Sequence, residues 1–512
     1  MIIIQPKRLL ISKDAFNDSY AERKFFTFVE VRDLNLFAEE TKSWYAAVDV
    51  EYDGKVFTAV PRRFNTDFLS SVLDINDRIR DDYTWDGRKV KFDFTGEPRD
   101  ERQKEIFNFL TRQGKYSNIT GKRSSLFAET GIGKTFLTLK TIAFHQSFTY
   151  IHCPDERALT TWKEEILKFT DIQETEIAIA RGKDALPRIL KNRDKYKIVL
   201  GSSMTMSAAI LRNDFSFITE FFEEMGFECI VYDEIHLHLM TIFYLEMLTQ
   251  IPYTLYLSAT PDRRVFKETK ILESLLPGDK YTFDIQPRQR FNLIKLEYWS
   301  NLEKKQQTGI VKPTGFCFPT YTKKVFKDSS APRFDFYMNE VILKSVKYLL
   351  KKRSSSSSKV VIVGKTKLDN EIILNFLQGK LGDEYTYGLF NSSIEDKEER
   401  FAQREADIII STDKSLAGII NIKNLEHMLN LMPISSSSHV LQIIGRIRDE
   451  PIVEPNGNKV EKNSYIIQPV DMSFKKMRSI FSGQIQSIKH ILNNETYETI
   501  KLNDRGAIEE QE

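Results

Sequence analysis

From about Pro98 onward, short apolar runs of strand length alternate with amphipathic stretches of helix length. This alternation is typical of a parallel sheet whose faces are covered by helices. The predicted strands of the first such block are 125–128, 148–153, 197–201, 229–232 and 254–258. A second block begins near Val341, with predicted strands at 359–363, 406–411 and 428–432. Two similar sheets in tandem predict an α/β protein with two lobes.

The rest of the chain predicts further divisions. A chain of 512 residues is too long for one hydrophobic core, and at roughly 150 residues per domain it predicts about three. Residues 1–95 combine short alternating runs with Asp-Gly turns, which predicts a small α+β domain that binds the substrate. The irregular, proline-containing stretch 281–335 predicts a connector with an insertion whose lysines contact the substrate. The two lobes are expected at 96–280 and 336–512.

Composition excludes some classes of protein. The net charge of +2 is the difference between 74 basic and 72 acidic residues, so any surface for a polyanion must be local. Cys153, Cys229 and Cys317 show no CxxC spacing, which argues against a zinc site or a disulfide framework and suits a reducing compartment. The start lacks the apolar core of a secretory signal, and no long uncharged apolar stretch follows. We therefore expect a cytoplasmic protein without a membrane partner.

The segment AETGIGKT at 128–135 lies between a predicted strand and a helix-like run at 136–144. Small residues let backbone N–H groups wrap phosphates, and the helix N-terminus adds partial positive charge. The lysine is expected to reach the β and γ phosphates of ATP, and the threonine after it to offer its hydroxyl to Mg²⁺. The residues of this predicted phosphate-binding loop are Thr130, Gly131, Gly133, Lys134 and Thr135.

Two carboxylates follow the predicted strand 229–232, in the segment DEIH. Because ligands collect at the carboxyl ends of parallel strands, we expect Asp233 to bind Mg²⁺ and Glu234 to orient the water that attacks the γ-phosphate. A lone acidic pair would more simply be a solvated turn, but the phosphate-binding loop upstream favours the catalytic interpretation. The next predicted strand ends in LSATP. The residues expected to transmit the nucleotide state are His236, Ser258 and Thr260.

The second block contains QIIGRIR at 442–448. This segment predicts a helix that presents Gln442, Arg446 and Arg448 to the first lobe. Guanidinium groups donated across a cleft stabilise charge on the transferring phosphoryl oxygens, so hydrolysis would depend on closure. An exposed basic helix face is the alternative interpretation.

Taken in order, AETGIGKT, DEIH, LSATP and QIIGRIR resemble the motor of helicase superfamily 2, over about residues 97–470. The resemblance implies two RecA-like lobes, ATP hydrolysis with Mg²⁺, and a nucleic-acid partner. It also implies that Gln103 reads adenine and that Gly418 belongs to the ATP site. The implied nucleic-acid contacts are Pro154, Ser203 and Thr412.

The run YTWDGRKVK at 83–91 contains a WDGR element. It resembles the small N-terminal domain of the UvsW-type phage recombination helicases, which regress forks, migrate branches and unwind R-loops. In this interpretation Trp85 stacks on a base while Arg88 and Lys89 hold phosphates. The alternative is that Trp85 is a core residue followed by an Asp-Gly hairpin turn. The resemblance implies a DNA helicase that remodels branched duplexes, and we expect it to act as a monomer, in the host cytoplasm if it is phage-encoded.

Two other functions stay open. Arg446 and Arg448 are two positions apart where many relatives have three, which resembles the duplex-RNA-sensing branch of the superfamily and favours an RNA helicase. Asp155 and Ile420 depart from the superfamily pattern, which favours a nucleotide-gated annealing or sensor clamp. The RNA helicase predicts ATPase stimulation by RNA above DNA, and the clamp predicts annealing without directional unwinding.

Overall fold

The computed structural model divides the chain into two compact units, Met1–Phe283 and Asp284–Glu512. It describes the chain except residues 6, 33–42, 65, 75–77, 81–84, 86, 129–130, 183, 213, 259–265, 278, 283–290, 313–314, 326–332, 391–402, 418–421, 435–436, 448–449, 490–491, 493–495 and 503–512. The division lies close to the predicted end of the first lobe at residue 280.

The first unit begins with a small α+β segment. Its strands are β1 (Ile2–Ile4), β2 (Arg8–Ile11), β3 (Glu30–Arg32), β4 (Ser43–Tyr45), β5 (Val48–Tyr52), β6 (Lys55–Pro61) and β7 (Arg78–Arg80), and its helices are α1 (Ser19–Val29) and α2 (Thr66–Val72). Five strands form a sheet in the order β5-β6-β2-β1-β7, in which only the β1–β7 pair is parallel. Helix α1 begins after Asp18, whose side chain accepts hydrogen bonds from the backbone N–H groups of Tyr20 and Ala21.

The remainder of the first unit is a parallel sheet between helices. Its strands are β8 (Arg123–Phe127), β9 (Thr149–Cys153), β10 (Ile177–Ala180), β11 (Ile198–Ser202), β12 (Cys229–Tyr232), β13 (Tyr253–Ser258) and β14 (Lys280–Thr282). Its helices are α3 (Glu101–Thr111), α4 (Lys134–His145), α5 (Glu156–Phe169), α6 (Ala185–Lys191), α7 (Ser203–Leu211), α8 (Phe215–Met225), α9 (Leu239–Leu248) and α10 (Phe266–Leu275). The strand order is β10-β11-β9-β12-β13-β8-β14, and every pair is parallel.

The second unit holds another seven-stranded parallel sheet. The strands of the unit are β15 (Asn292–Tyr298), β16 (Val311–Lys312), β17 (Gly315–Phe316), β18 (Lys359–Gly364), β19 (Tyr387–Phe390), β20 (Ile408–Thr412), β21 (Leu425–Asn430), β22 (Ile452–Val453), β23 (Lys459–Val460), β24 (Tyr465–Asp471) and β25 (Glu498–Lys501). Its helices are α11 (Lys304–Gln307), α12 (Phe318–Val325), α13 (Phe334–Phe336), α14 (Lys344–Lys351), α15 (Lys367–Leu381), α16 (Asp413–Ala417), α17 (Ser437–Ile444) and α18 (Lys475–Ile488), with a π-helical stretch at Tyr337–Leu343. The sheet order is β19-β20-β18-β21-β24-β15-β25.

Two seven-stranded parallel sheets confirm the predicted α/β fold with tandem RecA-like lobes. The apolar runs in the sequence predicted this fold well, because parallel strands are buried on both faces and contain almost continuous apolar runs. Strand β12, for example, is buried along its whole length and begins and ends at the predicted residues.

Residues 281–335 are not an irregular connector, which corrects the sequence-based interpretation. They contain β15, which pairs with β24 on one side and β25 on the other. Its sequence NLIKLEY carries two charges, which conceal the strand in the sequence pattern. The structure pairs these charges, since Lys295 Nζ donates to a carboxylate oxygen of Glu297. A paired charge is compatible with a largely buried strand.

The predicted boundary at residues 95 and 96 also needs correction. Backbone hydrogen bonds join Arg88 N to Gly226 O, Phe148 N to Arg88 O and Val90 N to Gln146 O. The segment 87–95 therefore runs along the parallel-sheet part of the first unit and does not belong to the small N-terminal sheet.

A buried ionic cluster joins the N-terminal sheet to the parallel sheet. The Glu246 carboxylate on α9 accepts from Lys7 Nζ at 3.0 Å, Arg123 Nη2 at 3.3 Å and the Tyr256 hydroxyl at 2.6 Å. The side chains of Glu246 and Lys7 are 0% and 2% exposed. Burial tends to raise the pKa of Glu246, but the charges of Lys7 and Arg123 lower it. At Lys7, burial lowers the pKa by more than the attraction of Glu246 raises it, so the pKa of Lys7 falls to about 8.

We expect Glu246→Gln to destabilise the first unit more than Lys7→Met. Glutamine would leave two buried cations without their counter-charge, at a cost of about 3 kcal/mol. Lys7→Met leaves Glu246 with Arg123 and Tyr256, so its cost should be smaller. Urea unfolding followed by circular dichroism measures both costs, and equal losses would contradict the central role of Glu246.

The Lys7→Met variant should also change how stability depends on pH. The folded chain releases the Lys7 proton at about pH 8 and the unfolded chain at about 10.5. Between these values the unfolded state binds more protons, so the free energy of unfolding rises with pH in the wild type relative to the variant, by roughly 3 kcal/mol over the full interval. Unfolding at about pH 7.5 and about pH 9.5 measures this rise. A difference between the two proteins that stays constant would show that the folded Lys7 keeps its proton over this range, so that burial does not lower its pKa.

Candidate functional site

The predicted phosphate-binding loop lies between β8 and α4, as the sequence indicated. Gly131 and Gly133 both have a φ of +89°, in the left-handed region that glycine adopts without a steric cost. Gly133 precedes the first residue of α4, Lys134. The Lys134 ammonium donates to the carbonyl oxygen of Ala128 at 2.8 Å. Backbone N–H groups at a helix N-terminus and this lysine form an arrangement suited to phosphate.

Gln103 is buried against this loop, with 4% of its surface exposed. Its side-chain amide donates to the carbonyl oxygen of Ile132 at 2.7 Å, and its side-chain oxygen accepts from Arg99 N at 2.9 Å. A Cβ added at Gly133 would lie 2.6 Å from the Gln103 amide nitrogen, so a larger residue there would displace the Gln103 side chain in addition to straining the positive φ. Arg99 Nη2 also donates to the carbonyl oxygen of Gly131 at 3.1 Å. The segment before α3 therefore supports the loop.

Three predicted site segments meet at one edge of the first parallel sheet. Strands β12, β13 and β8 are neighbours, and their register pairs Ser258 with Phe127 at the carboxyl end of β8. Ala128 N donates to the carbonyl oxygen of Ser258 at 3.1 Å. Asp233 follows the last residue of β12 at the same edge. The phosphate-binding loop, the acidic segment and the serine segment thus converge as the parallel arrangement requires.

Asp233 is held by its carboxylate to α5 and by its backbone N–H to β9. Trp162 Nε1 donates to Asp233 Oδ2 at 2.9 Å, and Asp233 N donates to the carbonyl oxygen of His152 at 3.0 Å. Burial and then the Glu234 carboxylate raise the pKa of Asp233, while Trp162 and Lys134 lower it. The positive charge of Lys134 thus favours the ionised form of Asp233.

Glu234 lies in a strained turn after β12. Its φ is +48°, which is uncommon for a residue with a side chain. Ile235 N donates to Leu257 O at 3.0 Å and fixes this turn on β13. His236 Nδ1 lies 3.2 Å from Glu234 Oε2 and 3.0 Å from Ser258 Oγ. The structure therefore brings His236 and Ser258 together, and Glu234 lies beside them.

The residues predicted in the second unit lie on two elements. Thr412 ends β20, and its hydroxyl accepts from Ser415 N at 3.1 Å in the first turn of α16. Gln442 lies on α17, and Arg446 lies in the turn after it, both half-buried. Their role in ATP hydrolysis stays a prediction. Four other predicted residues lie outside the described part of the chain: Thr130, Thr260, Gly418 and Arg448.

The two predicted nucleic-acid contacts of the first parallel sheet differ in accessibility. Pro154 follows β9, and the next residue, Asp155, caps α5 by accepting from Ala158 N at 2.9 Å. Ser203 is 1% exposed, and its hydroxyl lies 2.8 Å from His152 Nε2. The Ser203 side chain therefore links β9 to α7, and its contact with nucleic acid stays a prediction.

The WDGR element is used in internal contacts. Trp85 Nε1 donates to the carbonyl oxygen of Phe227 at 2.7 Å. The Arg88 guanidinium lies 4.0 Å from the centroid of the Phe148 ring and also donates to backbone carbonyls. Lys89 Nζ pairs with Glu228 at 2.9 Å. These contacts favour the packing interpretation of Trp85, so Trp85, Arg88 and Lys89 are not retained as nucleic-acid contacts.

The sequence motifs do not assign the roles that the structure gives to Trp162 and Arg99. Both residues lie outside the phosphate-binding loop and the DEIH segment. The amphipathic pattern of α5, with Ala158, Leu159, Trp162 and Ile166 buried, indicates that Trp162 faces the sheet. It does not reveal that the indole N–H meets a carboxylate.

Comparisons with known proteins agree with this geometry. Residues 97–263 match the family model described as type III restriction enzyme, res subunit. A DNA 3'-5' translocase, XPB2, from Sulfurisphaera tokodaii is 32% identical over 146 residues, which are 28% of this chain and 28% of that relative. The chain thus matches a little over a quarter of this relative's length. Both matches support the resemblance to helicase superfamily 2 that the sequence motifs indicate.

Two solved structures are similar over most of the chain. The Hef helicase domain of Pyrococcus furiosus has a TM-score of 0.44 and 12% identity, covering 75% of this chain and 98% of that chain. Dbp5 of S. cerevisiae, bound to RNA and ADP BeF3, has a TM-score of 0.49 and 14% identity, covering 79% and 90%. Both scores lie below 0.5, so the fold assignment rests on the strand order described above.

In the described part of the chain, no helix is both long and apolar enough to cross a membrane.

Proposed function

We propose that this protein is an ATP-driven DNA helicase or translocase that remodels branched duplexes in recombination, replication or repair. The observation that carries the proposal is the meeting of the phosphate-binding loop, Asp233 and Ser258 at one edge of the first parallel sheet. The family match over residues 97–263 covers the same segments. Nucleic-acid remodelling would then be the work that ATP hydrolysis drives.

The residues at this edge fit ATP with Mg²⁺. Thr135, in the first turn of α4, and Asp233 offer a hydroxyl and a carboxylate, which are the oxygen ligands that Mg²⁺ prefers. Mg²⁺, when bound, neutralises charge on the phosphate oxygens. The glycines of the loop keep side chains away from the phosphates, and Lys134 adds a positive charge.

The remaining roles are assigned to residues of this chain. Glu234 orients and polarises the attacking water, and His236 with Ser258 connects this carboxylate to β13. Gln103 braces the loop through Ile132 O and contributes to the adenine site. Gln442 and Arg446 supply the polar and cationic groups of the second lobe that respond to the nucleotide. Pro154 and Thr412 are proposed to contact the nucleic-acid strand.

The assignment to branched DNA rests on the WDGR resemblance alone. Trp85 and Arg88, two of the residues that carry the resemblance, are used in internal contacts. The DNA part of the proposal has separate support, because the relative at 32% identity is named as a DNA translocase. The choice among DNA structures is therefore the part of the proposal that an experiment should decide first.

A basic segment of the second unit supplies a candidate nucleic-acid surface. Residues 300–325 carry five lysines and one glutamate, a net charge of +4 against +2 for the whole chain. The segment is anchored because the Tyr321 hydroxyl donates to Asp471 Oδ2 at 2.9 Å and lies 2.6 Å from the Tyr298 hydroxyl. The lysines at its exposed positions are Lys304, Lys305, Lys312 and Lys323. An anchored segment that presents several lysines is suited to phosphates.

Lys134→Ala should abolish ATP hydrolysis, with a loss of at least about 100-fold, because it removes the cation at the phosphates. DNA binding, measured by fluorescence anisotropy, should be retained. Glu234→Gln should bind ATP and fail to turn it over. Lys140→Ala is the matched control, since this lysine lies on the same helix and pairs with Glu97 at 2.9 Å. Near-normal turnover by the Lys134 or Glu234 variant would overturn the assignment of the site.

The ATPase rate should be stimulated most by branched DNA. We would compare single-stranded DNA, duplex DNA, a four-way junction and duplex RNA at one salt concentration, because phosphate contacts are salt-sensitive. Strongest stimulation by duplex RNA would replace the DNA assignment with an RNA helicase. Annealing without directional unwinding would support the nucleotide-gated clamp.

Replacing both Lys304 and Lys305 by alanine should weaken DNA binding and flatten its salt dependence. For every phosphate that the protein no longer neutralises, the slope of log K against log salt becomes shallower by about 0.9 on duplex DNA. Lys475→Ala with Lys476→Ala is the matched control, because both pairs are exposed and occupy the first two positions of a helix in the second unit. An equal change in slope for the two double variants would rule out a specific role for the basic segment.

A further inference from the structure

Trp162 forms a hydrogen bond that core packing alone does not require. Its indole is 1% exposed on α5, and Nε1 donates to Asp233 Oδ2 at 2.9 Å. An indole N–H is a donor only, and a backbone carbonyl satisfies it. Trp85 shows this ordinary solution, since its N–H donates to the carbonyl oxygen of Phe227. At Trp162 the partner is instead the first carboxylate of the DEIH segment.

The position of this indole is fixed by two neighbouring elements. Helix α5 begins immediately after β9, with the Asp155 side chain as its cap. Trp162 lies in the same hydrophobic cluster as Ile151 of β9 and Val231 of β12. The backbone N–H of Asp233 also donates to the carbonyl oxygen of His152 on β9. Strand β9 thus holds the backbone of Asp233 through His152, and α5 holds its side chain through Trp162.

We propose that Trp162 is a positioning residue for the metal–nucleotide site. By binding Oδ2, the indole orients the carboxylate so that Oδ1 is presented to the Mg²⁺ of the nucleotide. This inference rests on the proposed function, and it adds a residue outside the phosphate-binding loop and the DEIH segment to the nucleotide site. Because α5 starts beside Pro154, the orientation of Asp233 also depends on an element proposed to contact nucleic acid.

The test compares Trp162→Phe with Trp85→Phe. Both variants keep an aromatic ring and remove one indole hydrogen bond, but only the first bond reaches Asp233. A fluorescent ATP analogue is titrated at increasing Mg²⁺ and in EDTA. Trp162→Phe should raise the Mg²⁺ concentration for half-maximal binding by about tenfold, because it removes a hydrogen bond to a charged group, and leave the affinity in EDTA within about twofold.

Trp85→Phe should lower thermal stability and keep the wild-type Mg²⁺ requirement. A wild-type requirement in folded Trp162→Phe would overturn the positioning role and reduce Trp162 to a core residue. Absence of Mg²⁺-dependent nucleotide binding by the wild type would instead overturn the proposed function. The two failures are therefore distinguishable.

A second measurement does not depend on folding of the Trp162 variant. The chain has four tryptophans, and in ¹⁵N-labelled protein their indole signals are assigned by elimination with Trp44→Phe, Trp85→Phe and Trp299→Phe. The Trp162 indole signal should shift on Asp233→Asn and again when Mg²⁺ and the ATP analogue are added to wild type. The Trp85 signal should stay in place. A Trp162 signal that responds to neither change would overturn the proposal.

Discussion

The parallel pairing of β12, β13 and β8 is the constraint on which the candidate site depends. Parallel strands end at the same edge of a sheet, so residues far apart in sequence meet where the strands finish. Ala128 and Ser258 are joined there by a backbone hydrogen bond, and Asp233 follows the strand beside them. A shift of one residue in this register would move the following segments and separate the phosphate-binding loop from its acidic partner. The chemistry proposed for the site is therefore a consequence of strand order before it is a property of any one side chain.

The buried Glu246 cluster also holds two of these strands, β8 and β13, together. Arg123 begins β8 and Tyr256 lies in β13, and both bind the Glu246 carboxylate together with Lys7 from the N-terminal segment. A buried charge with several partners is costly to disturb because each group left behind loses its compensation. The N-terminal sheet thus contributes to the first parallel sheet through a specific polar contact, and Trp44 adds ring contacts with Phe243 and Tyr244 on α9. It is part of the first unit's core, which the sequence-based division into domains did not show.

The sequence predicted those features that depend on local patterns. Strand β12 and the helix after the phosphate-binding loop have clear apolar patterns and fixed motifs beside them, so their existence was predictable. The end residues of β12 match the prediction, whereas the helix predicted at 136–144 runs from Lys134 to His145. Strand β15 was not predictable, because Lys295 and Glu297 conceal it until their pairing is known. The nucleic-acid interpretation of the aromatic and cationic run around Trp85 was not retained, for the opposite reason. Its composition suits a nucleic-acid surface, but long-range partners such as Phe227 and Glu228 use the same groups for packing. Local patterns reveal which groups are present, and only the fold shows which partners they meet.

Glu234 illustrates where local preference gives way to the requirements of the site. Its φ of +48° is disfavoured by roughly 1–2 kcal/mol for a residue with a Cβ, and the turn persists because neighbouring contacts determine it. Ile235 N is held by Leu257 O, and Leu237 N donates to Glu234 O at 2.8 Å. Such strain is retained where surrounding structure over-determines the backbone, and it is concentrated at functional sites. Glu234 is one of seven non-glycine residues with positive φ in the described part of the chain. It is the one proposed to orient water, and it directly follows the carboxylate that Trp162 holds. The turn and the indole therefore fix two adjacent carboxylates by different means, one through the backbone and the other through the side chain.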